Sequence, residues 1–241
     1  MNNITRDEAF RVVCEFRTPN SSQSYTVGTG MFISAPIPGN PDRINGWIVT
    51  ATHVAVTTNQ LTKIVIATEG GRAVTLSLTD FAPLHMWRHH PVADVSALPI
   101  QWNERNLPHT KRRFVPTDHV NMGRTPVSRD YELTAIGFPH GLGVGGSFSP
   151  LTFRSYASSG FITLNRADTK KPSEFFCLEN PSVGGYSGGP VFSLGYMMEG
   201  NVRKVYDITI CHGIMHGTLS DSTGGKIALV TPAFYLKDIL F

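Results

Sequence analysis

Short runs of β-branched and aromatic residues recur along the whole chain, and clusters of Gly, Pro, Asn and Ser separate them. This punctuation is typical of strands joined by turns in a sandwich or barrel. A parallel sheet would require helix-like segments between the strands, and the sequence shows no such alternation. The sequence therefore predicts an all-β protein, with strands over 11–16, 30–33, 46–51, 63–68, 73–78, 94–99, 132–137, 161–164, 174–177, 190–192, 205–215 and 227–230.

The length of the chain suits two small β units or one large one. It has 241 residues, of which 41% are hydrophobic and 16% charged, so a sizeable buried core is expected. The stretch 101–125 is polar, contains several Pro and Asn residues and lacks alternation. We interpret it as the connection between two units and divide the chain into residues 1–110 and 111–241.

A helix is predicted at the C-terminus. Thr231 can act as its N-cap, and Pro232 suits the first helical position. Apolar residues between 234 and 240 then supply one face of a helix. A second short helix is predicted over 6–10.

The charge and the cysteines exclude several classes of function. The formal net charge of +3 is too small to argue for nucleic-acid binding, and the basic run 111–113 is interpreted as a solvated loop. Cys14, Cys177 and Cys211 are odd in number and far apart, so they indicate neither a disulfide framework nor a zinc site. The few cysteines favour a protein from a reducing compartment, and we expect Cys177 and Cys211 to be small buried residues. We expect no cofactor.

The N-terminal sequence has no basic segment followed by an apolar one, and no apolar run approaches the length of a membrane span. We therefore expect a cytoplasmic protein with no membrane partner. A chain trimmed of an export signal would instead be secreted or periplasmic.

A metal site is not predicted. His85 and His89 have the spacing of two ligands on one helix face, but Pro83 and Pro91 argue against a long helix there.

The most informative motif is GGYSGGP at 184–190, a serine flanked by glycines. A nucleophile for acyl transfer needs a tight turn that exposes its hydroxyl and aims backbone N–H groups at the developing oxyanion. Gly185 permits the required backbone conformation, and the N–H groups of Gly185 and Ser187 are predicted to form the oxyanion hole. Gly188 and Gly189 would leave room for the substrate and for the following strand.

This motif has two other interpretations. It is similar to the GxSxG turn of α/β-hydrolases, but there a helix follows the serine, whereas Pro190, Val191 and Phe192 indicate a strand. In α/β-hydrolases the serine also precedes the acid and the histidine, whereas here a suitable histidine lies upstream. A glycine-rich turn with an incidental serine is the second alternative.

Two more residues are suited to a triad. His53 ends the strand-like run 46–53, and the small residues Ala51 and Thr52 leave space beside its ring. An imidazole there can act as general base and then as general acid. Asp94 opens the apolar run 94–99, where a buried carboxylate would orient that imidazole. Taken singly, either residue is also explained as an ordinary strand-end residue.

The order His53, Asp94, Ser187, with these flanking sequences, resembles the trypsin-like (chymotrypsin-fold) serine peptidases. GTGMFIS at 28–34 resembles the strand before the catalytic histidine, and ITICHGIMHG at 208–217 resembles the strand along the substrate cleft. IGFPHG at 136–141 and the helix after ALVTP are similar to bacterial HtrA-like members. The resemblance spans nearly the whole chain and is closest to HtrA-like protease domains without a PDZ domain.

This resemblance implies two antiparallel six-stranded β-barrels, with the active site between them, and a short C-terminal helix. It implies a serine endopeptidase that works through an acyl-enzyme. Ser187 would attack the peptide carbonyl, His53 would transfer the proton, and Asp94 would fix the imidazole tautomer and stabilise its charged form.

Two features depart from the family. Digestive members have an aspartate before the nucleophile, which pairs with a newly cleaved N-terminus, whereas this chain has Tyr186. We therefore expect any control to act through oligomerisation, a protein partner or loop ordering. HtrA-like members usually carry a PDZ domain, so the chain is expected to be either a stand-alone enzyme or a fragment.

The resemblance also places Pro181, Ser182 and His216 in the pocket for the side chain that precedes the cut. The segment 180–182 contains no aspartate, so we expect a small or medium apolar side chain there rather than Lys or Arg. Ser182 together with His212 or His216 would instead favour Glu or Gln at this position. In the alternative interpretation, both histidines have only a structural role at the end of a strand.

Three functions follow from the sequence. The first is an active endopeptidase with a peptide or protein substrate. The second is a latent protease, activated by a regulatory partner, a ligand or homo-oligomerisation, for example in a stress or defence system. The third is an inactive peptide-binding module, and the complete His-Asp-Ser set argues against it.

Overall fold

A computed structural model describes residues 6–20, 24–110, 113–166, 168–205 and 207–241. In these residues the strands form two large sheets and one separate hairpin. The first sheet contains β1 (Val13–Pro19), β2 (Tyr25–Ile37), β3 (Asn40–Thr50), β4 (Lys63–Ala67), β5 (Ala73–Ser77), β6 (Arg88–His89), β7 (Ser96–Pro99) and β8 (Val115–Pro116). Its order is β5-β4-β1-β2-β3-β7-β6 with antiparallel neighbours, and β8 pairs with β2 in parallel.

The second sheet contains β9 (Leu133–Gly137), β10 (Leu151–Ser155), β11 (Ile162–Asn165), β12 (Pro172–Leu178), β13 (Pro190–Ser193), β16 (Ile210–Ser220) and β17 (Lys226–Pro232). Its order is β10-β9-β13-β16-β17-β12-β11. The separate hairpin consists of β14 (Tyr196–Glu199) and β15 (Val202–Val205).

The helices are short. They are α1 (Arg6–Arg11), α2 (Thr52–Ala55), α3 (Leu78–Phe81), α4 (Leu107–Thr110) and α5 (Lys237–Leu240), with 3₁₀ turns at Thr117–His119, Pro139–Gly141 and Ala233–Leu236. Within the described residues, none of these helices is long and apolar enough to cross a membrane.

The central strands of the first sheet are buried on both faces. Successive side chains of a strand point to opposite faces. In β2, Met31 and Ile33 therefore pack into one apolar cluster while Phe32, between them, packs into another. The first of these clusters also contains Phe192 of β13 and Leu236 near the C-terminus. This shared core brings the end of β3 close to the start of β13, where the candidate site lies.

The predicted all-β class, the two mainly antiparallel sheets and the short C-terminal helix are confirmed. The two sheets contain eight and seven strands in the described residues, and neither is closed into a barrel by continuous hydrogen bonding. The helix predicted near residue 6 is also present. At the C-terminus Pro232, not Thr231, is the N-cap, because β17 continues through Thr231 to Pro232 and the 3₁₀ turn begins only at Ala233.

Other local predictions need correction. The run 205–215 is divided between β15 and β16, and the strand predicted over 94–99 begins only at Ser96. The strand β10 was not predicted. In the basic run 111–113, the first two residues lie outside the described part of the chain, and Arg113 is buried rather than solvated, because its position leads directly into β8.

Candidate active site

His53 is presented by the first turn of α2, directly after β3 ends at Thr50. The first N–H groups of a helix have no partner within the helix. Asp94 supplies one, since its Oδ1 accepts the backbone N–H of His53 at 3.0 Å. Its Oδ2 lies 2.7 Å from Nδ1 of the same residue. A bond to a carboxylate requires the proton on Nδ1, so Nε2 carries the lone pair of the neutral imidazole.

The loop that carries Asp94 is shaped by His90. Its Nδ1 accepts the backbone N–H groups of Val92 and Ala93 at 3.1 and 2.8 Å. Its own backbone N–H donates to the carbonyl oxygen of Val95 at 3.0 Å. The loop is therefore closed by its own polar groups between β6 and β7, and Asp94 is held inside the protein with 0% exposure.

The carboxylate of Asp94 accepts hydrogen bonds on both oxygens. Besides the two bonds from His53, Oδ2 lies 2.5 Å from Nδ1 of His216, and Oδ1 lies 3.3 Å from Nη2 of Arg166. Burial by itself would raise the pKa of Asp94, but the hydrogen bonds from His216 and His53 and their charges outweigh it and lower that pKa well below its ordinary value. Asp94 is therefore ionised across the neutral range.

The pKa of His53 is shifted in the opposite direction. Burial would lower it, but the hydrogen bond and the charge of Asp94, helped by the charge of Asp168, outweigh burial and the opposing charge of Arg166. The net result is a raised pKa. An imidazole in this setting accepts a proton more readily than one in water.

The turn before Ser187 can be built only with glycine at 185. Gly185 has a φ of 104°, and a Cβ there would lie 2.3 Å from the carbonyl oxygen of Phe138. Thr29 of β2 holds this turn from the first sheet. Its hydroxyl donates to the carbonyl oxygen of Gly185 at 2.6 Å, and its backbone N–H donates to that of Ser187 at 2.8 Å. Among the described residues, no acceptor is paired with the N–H groups of Gly185 and Ser187.

The two glycines after Ser187 are required by packing rather than by substrate. A Cβ on Gly188 would lie 2.1 Å from the carbonyl oxygen of Thr29 and equally close to the hydroxyl of Thr50. A Cβ on Gly189 would lie 2.1 Å from the carbonyl oxygen of Ile136. The expectation that these glycines leave room for substrate is therefore replaced, because strands of both sheets occupy that space.

The hydroxyl of Ser187 donates to the carbonyl oxygen of His216 at 3.1 Å. His216 lies at a bulge, where the register between β16 and β17 shifts from Met215 to Gly217. A bulge re-aims a side chain relative to a regular strand. The imidazole of His216 is 5% exposed and contacts Asp94, so this residue, predicted in the substrate pocket, joins the acid and the nucleophile.

Pro181 and Ser182 line a cleft of about 370 Å³ next to the Ser187 turn. The rest of its lining is mostly apolar and consists of Pro139, His140, Leu142, Leu151, Phe153, Val183 and Tyr186. Thr218 donates its hydroxyl proton to the carbonyl oxygen of Ser182 at 2.9 Å. In the 3.2 Å hydrogen bond between the two hydroxyls, Ser182 is therefore the donor and Thr218 the acceptor.

Neither histidine of β16 has Ser182 as a partner. His212 lies 2.8 Å from the hydroxyl of Ser193 and 3.4 Å from the side-chain nitrogen of Asn121. Burial lowers the pKa of His212 to about 4, so its ring is neutral at pH 7. His216 is bound to Asp94. These contacts favour the interpretation in which both histidines have a structural role and do not recognise an acidic substrate side chain.

His53, Asp94 and His216 each place one potential metal-ligand atom within 4.8 Å of the others. Two imidazoles and a carboxylate are a common zinc set. Here, however, the three groups hydrogen-bond to one another, and the guanidinium of Arg166 beside Asp94 repels a divalent cation. His85 and His89 do not share a helix, because His85 has a φ of 47° and His89 lies in the two-residue β6.

The cysteines are not suited to nucleophilic attack. All three are free and buried. Burial raises the pKa of the Cys211 thiol to about 12 and also raises that of Cys14, which keeps both as thiols at neutral pH.

Sequence reasoning missed Arg166 and Thr29 as parts of this site. Arg166 follows β11 in a turn with no recognisable motif, and Thr29 looks like any strand residue. For Arg166 the only local signal is an aspartate two positions later, which its side chain binds. Both residues reach the site through tertiary contacts.

Comparison with protein families agrees with this geometry. A family model described as "Trypsin-like peptidase domain" matches residues 28–196, a segment that contains His53, Asp94 and Ser187. The chain belongs to the trypsin-like peptidase family. No curated protein showed a significant match to this sequence.

Solved structures share the fold of this trypsin-like domain. The HtrA-type protease AlgW with tripeptide matches with a TM-score of 0.55 and 18% identity over 97% of this chain and 62% of that chain. The active form of the Rv3671c protease from M. tuberculosis matches with a TM-score of 0.58 and 15% identity, over 97% of this chain and 81% of that chain. The inactive form of the Rv3671c protease matches with a TM-score of 0.55 and 15% identity, over 97% of this chain and 89% of that chain. The chain thus spans less than two thirds of the AlgW chain.

Proposed function

We propose that the chain is a serine endopeptidase that hydrolyses peptide bonds through an acyl-enzyme, with His53, Asp94 and Ser187 as its triad. The observation that carries the proposal is a pair of hydrogen bonds that Asp94 accepts from His53. The backbone N–H of His53 donates to Oδ1 at 3.0 Å, and Nδ1 donates to Oδ2 at 2.7 Å. They fix the imidazole with Nε2 as its basic nitrogen. Membership of the trypsin-like family and the turn before Ser187, which requires glycine at 185, support the same assignment.

In the proposed reaction, the hydroxyl of Ser187 leaves the carbonyl oxygen of His216 and its proton passes to Nε2 of His53. Oγ then attacks the substrate carbonyl carbon, and the resulting oxyanion accepts the unpaired N–H groups of Gly185 and Ser187. The imidazolium is stabilised by Asp94 and gives its proton to the leaving amine, which breaks the peptide bond. A water molecule, activated in the same way, hydrolyses the ester.

We propose that the site lies between two β units, residues 1–110 and 111–241. The first sheet and its loops supply His53 and Asp94, whereas the second supplies Ser187. The connection returns once to the first unit, since β8 pairs with β2. Peptide substrates would bind where the ends of the two sheets meet.

We propose that the side chain preceding the cut is small or medium and uncharged, and that it lies against Pro181 and Ser182. The cleft beside them is lined mainly by apolar side chains, and none of the described residues in its lining is acidic. The hydroxyl of Ser182 already binds Thr218, which leaves little capacity to recognise a charge.

A second candidate, a latent peptidase, is favoured by one observation. The proton of Ser187 is directed to the carbonyl oxygen of His216, so the nucleophile must rotate before it can react. A protein partner, a peptide or a second copy that moves the strand β16 would change this bond. We propose this state as the resting form of the same enzyme.

The proposal is tested by labelling with a fluorophosphonate probe at neutral pH, followed by mapping of the labelled residue by mass spectrometry. We expect the label on Ser187 alone, loss of the label in Ser187→Ala, and its retention in Ser193→Ala, a partly buried serine of the same sheet. Label that appears only after a peptide is added would identify the latent form. A folded protein that stays unlabelled under both conditions would contradict the proposed function.

A further inference from the structure

The side chain of Arg166 lies between two carboxylates, and only 4% of its surface is exposed. On one side, Nε and Nη2 bind the two oxygens of Asp168 at 2.9 and 2.6 Å. On the other side, Nη2 is 3.3 Å from Oδ1 of Asp94, and Nη1 donates to the carbonyl oxygen of Val92 at 2.9 Å. A buried guanidinium in contact with the proposed triad acid has no role in the mechanism described above.

We propose that Arg166 is a positioning residue for the peptidase reaction, which holds Oδ1 of Asp94 from the second β unit so that Oδ2 stays directed at the imidazole of His53.

The geometry of the guanidinium supports this role. The planar fork of an arginine binds a carboxylate through two parallel bonds, and this fixes the plane of the group. Asp168 provides that anchor from the same turn, two residues along the chain. The turn itself is closed by bonds between Arg166 and Lys171 (2.9 Å) and between Lys170 and Arg166 (3.0 Å). The remaining N–H groups therefore meet the 92–94 loop in one orientation.

The two oxygens of Asp94 therefore accept hydrogen bonds from different groups. Oδ1 accepts the backbone N–H of His53 and the guanidinium, whereas Oδ2 accepts the imidazoles of His53 and His216. Without Arg166, no other residue in the described part of the second unit would hold Oδ1, and rotation of the carboxyl group would move the acceptor away from Nδ1. Small misplacements of this kind reduce catalytic rates strongly.

A substitution that keeps the charge at position 166 distinguishes positioning from a purely structural role. The charge of Arg166 lowers the pKa of His53, and the charges of Asp94 and Asp168 raise it. Removal of Arg166 takes away a charge that lowers this pKa, but it also frees the Asp94 carboxyl group, whose bond to Nδ1 raises it, so the two effects oppose each other. A lysine at position 166 keeps the charge without the planar fork, so loss of positioning should lower the pKa of His53, whereas loss of a merely structural contact would leave it unchanged. Removal of the charge on Asp168 should lower the same pKa.

The experiment compares Arg166→Met, Arg166→Lys and Asp168→Asn with Arg154→Met, which removes an exposed arginine whose partner is Glu132. The pKa of His53 is measured by NMR titration in the full chain carrying Ser187→Ala, and kcat and KM are measured with Ser187 intact. We expect Arg166→Met to lower kcat about 10- to 100-fold with little change in KM. Arg166→Lys should lower both kcat and the pKa of His53, because lysine keeps the charge but lacks the planar fork that holds Oδ1 of Asp94.

Asp168→Asn should lower the pKa of His53, and Arg154→Met should leave the pKa and kcat unchanged. An unshifted titration of His53 in both Arg166→Lys and Asp168→Asn, with kcat retained, would overturn the proposal even if Arg166→Met failed to fold. The inference rests on the proposed function, but the titration requires no turnover. Absence of phosphonate labelling with normal titration shifts would therefore refute the peptidase, and the reverse result would refute the role of Arg166 alone.

Discussion

The hydroxyl of Ser187 and the carbonyl oxygen of His216 are joined by a hydrogen bond of 3.1 Å. The single proton of the hydroxyl is therefore not directed at His53 in this conformation. The imidazole of His216 binds Asp94 at the same time, at 2.5 Å. His216 thus contacts the proposed nucleophile through its backbone and the proposed triad acid through its side chain. A substitution at 216 removes the side-chain contact and keeps the backbone contact.

Replacement of His216 by alanine keeps the carbonyl oxygen but removes the imidazole from Asp94. We expect kcat/KM to fall about 10- to 100-fold, because Oδ2 loses one of its two imidazole partners and Asp94 loses part of its orientation. Steady-state kinetics on a peptide substrate measure this change. The matched variant is His212→Ala on the same strand, whose ring binds Ser193 instead, and it should retain activity within about threefold. Equal losses in both variants would show a general effect on β16.

The pH dependence of the reaction should follow the raised pKa of His53. The general base must be neutral, so activity is lost as the pH falls through that pKa. Since the pKa is raised, the midpoint of the acid limb should lie above about 6.5, the ordinary value for imidazole. A profile of kcat/KM from about pH 5 to 9 measures it, and Asp94 should add no step because its pKa is far lower. A midpoint below the ordinary value would show that burial outweighs Asp94.

Gly185 and Gly184 are adjacent and offer a matched pair of substitutions. Gly185→Ala places a Cβ 2.3 Å from the carbonyl oxygen of Phe138 at a φ of 104°, so the turn must change. We expect kcat to fall at least about 100-fold, the typical effect of losing one oxyanion donor. Gly184→Ala meets nothing within 4 Å and should be tolerated. Comparable activity of the two variants would exclude Gly185 from the oxyanion hole.

The parts of the candidate site that could be predicted from the sequence are those that depend on local structure. Ser187 is a candidate nucleophile because its turn requires glycine at 185. His53 and Asp94 are candidates because one ends an apolar run and the other opens one. Strand positions followed for the same reason, since burial of one or both faces leaves a readable pattern. Room for substrate was predicted as one reason for Gly188, whereas the structure requires glycine there because the carbonyl oxygen of Thr29 lies too close for a Cβ. The sequence around residue 188 does not indicate this contact with a distant strand.

The remaining parts depend on register and on distant contacts. His216 contacts Asp94 because of a bulge between β16 and β17, and a shift of one residue reverses the direction of a strand side chain. Arg166 lies 72 residues from Asp94 in the chain, and its position depends on how the two sheets pack. Arg113 is buried although its sequence neighbours are basic. Such contacts are properties of the tertiary structure and have no local pattern.

A buried carboxylate outside the proposed triad should control stability. Glu15 of β1 is 0% exposed, and its Oε2 lies 2.7 Å from Nε of Arg17. Its other oxygen lies against Gly141 in the turn that follows Phe138, because a Cβ there would be 3.2 Å away. Burial raises the pKa of Glu15 to about 7, although the charge and hydrogen bond of Arg17 oppose the shift. The folded state therefore holds this proton more tightly than the unfolded chain does.

This difference fixes the sign of the pH effect. The contribution of Glu15 is fully present below its unfolded pKa of about 4.5, declines as the pH rises, and is lost once the pH passes about 7. Glu15→Gln mimics the protonated form, so relative to wild type it should gain on the order of 2 kcal/mol between pH 5 and pH 8. Urea unfolding at both pH values measures it, with Glu132→Gln, an exposed carboxylate, as the control. A constant difference between Glu15→Gln and wild type at the two pH values would show that Glu15 ionises normally, since only a shifted pKa makes the difference depend on pH.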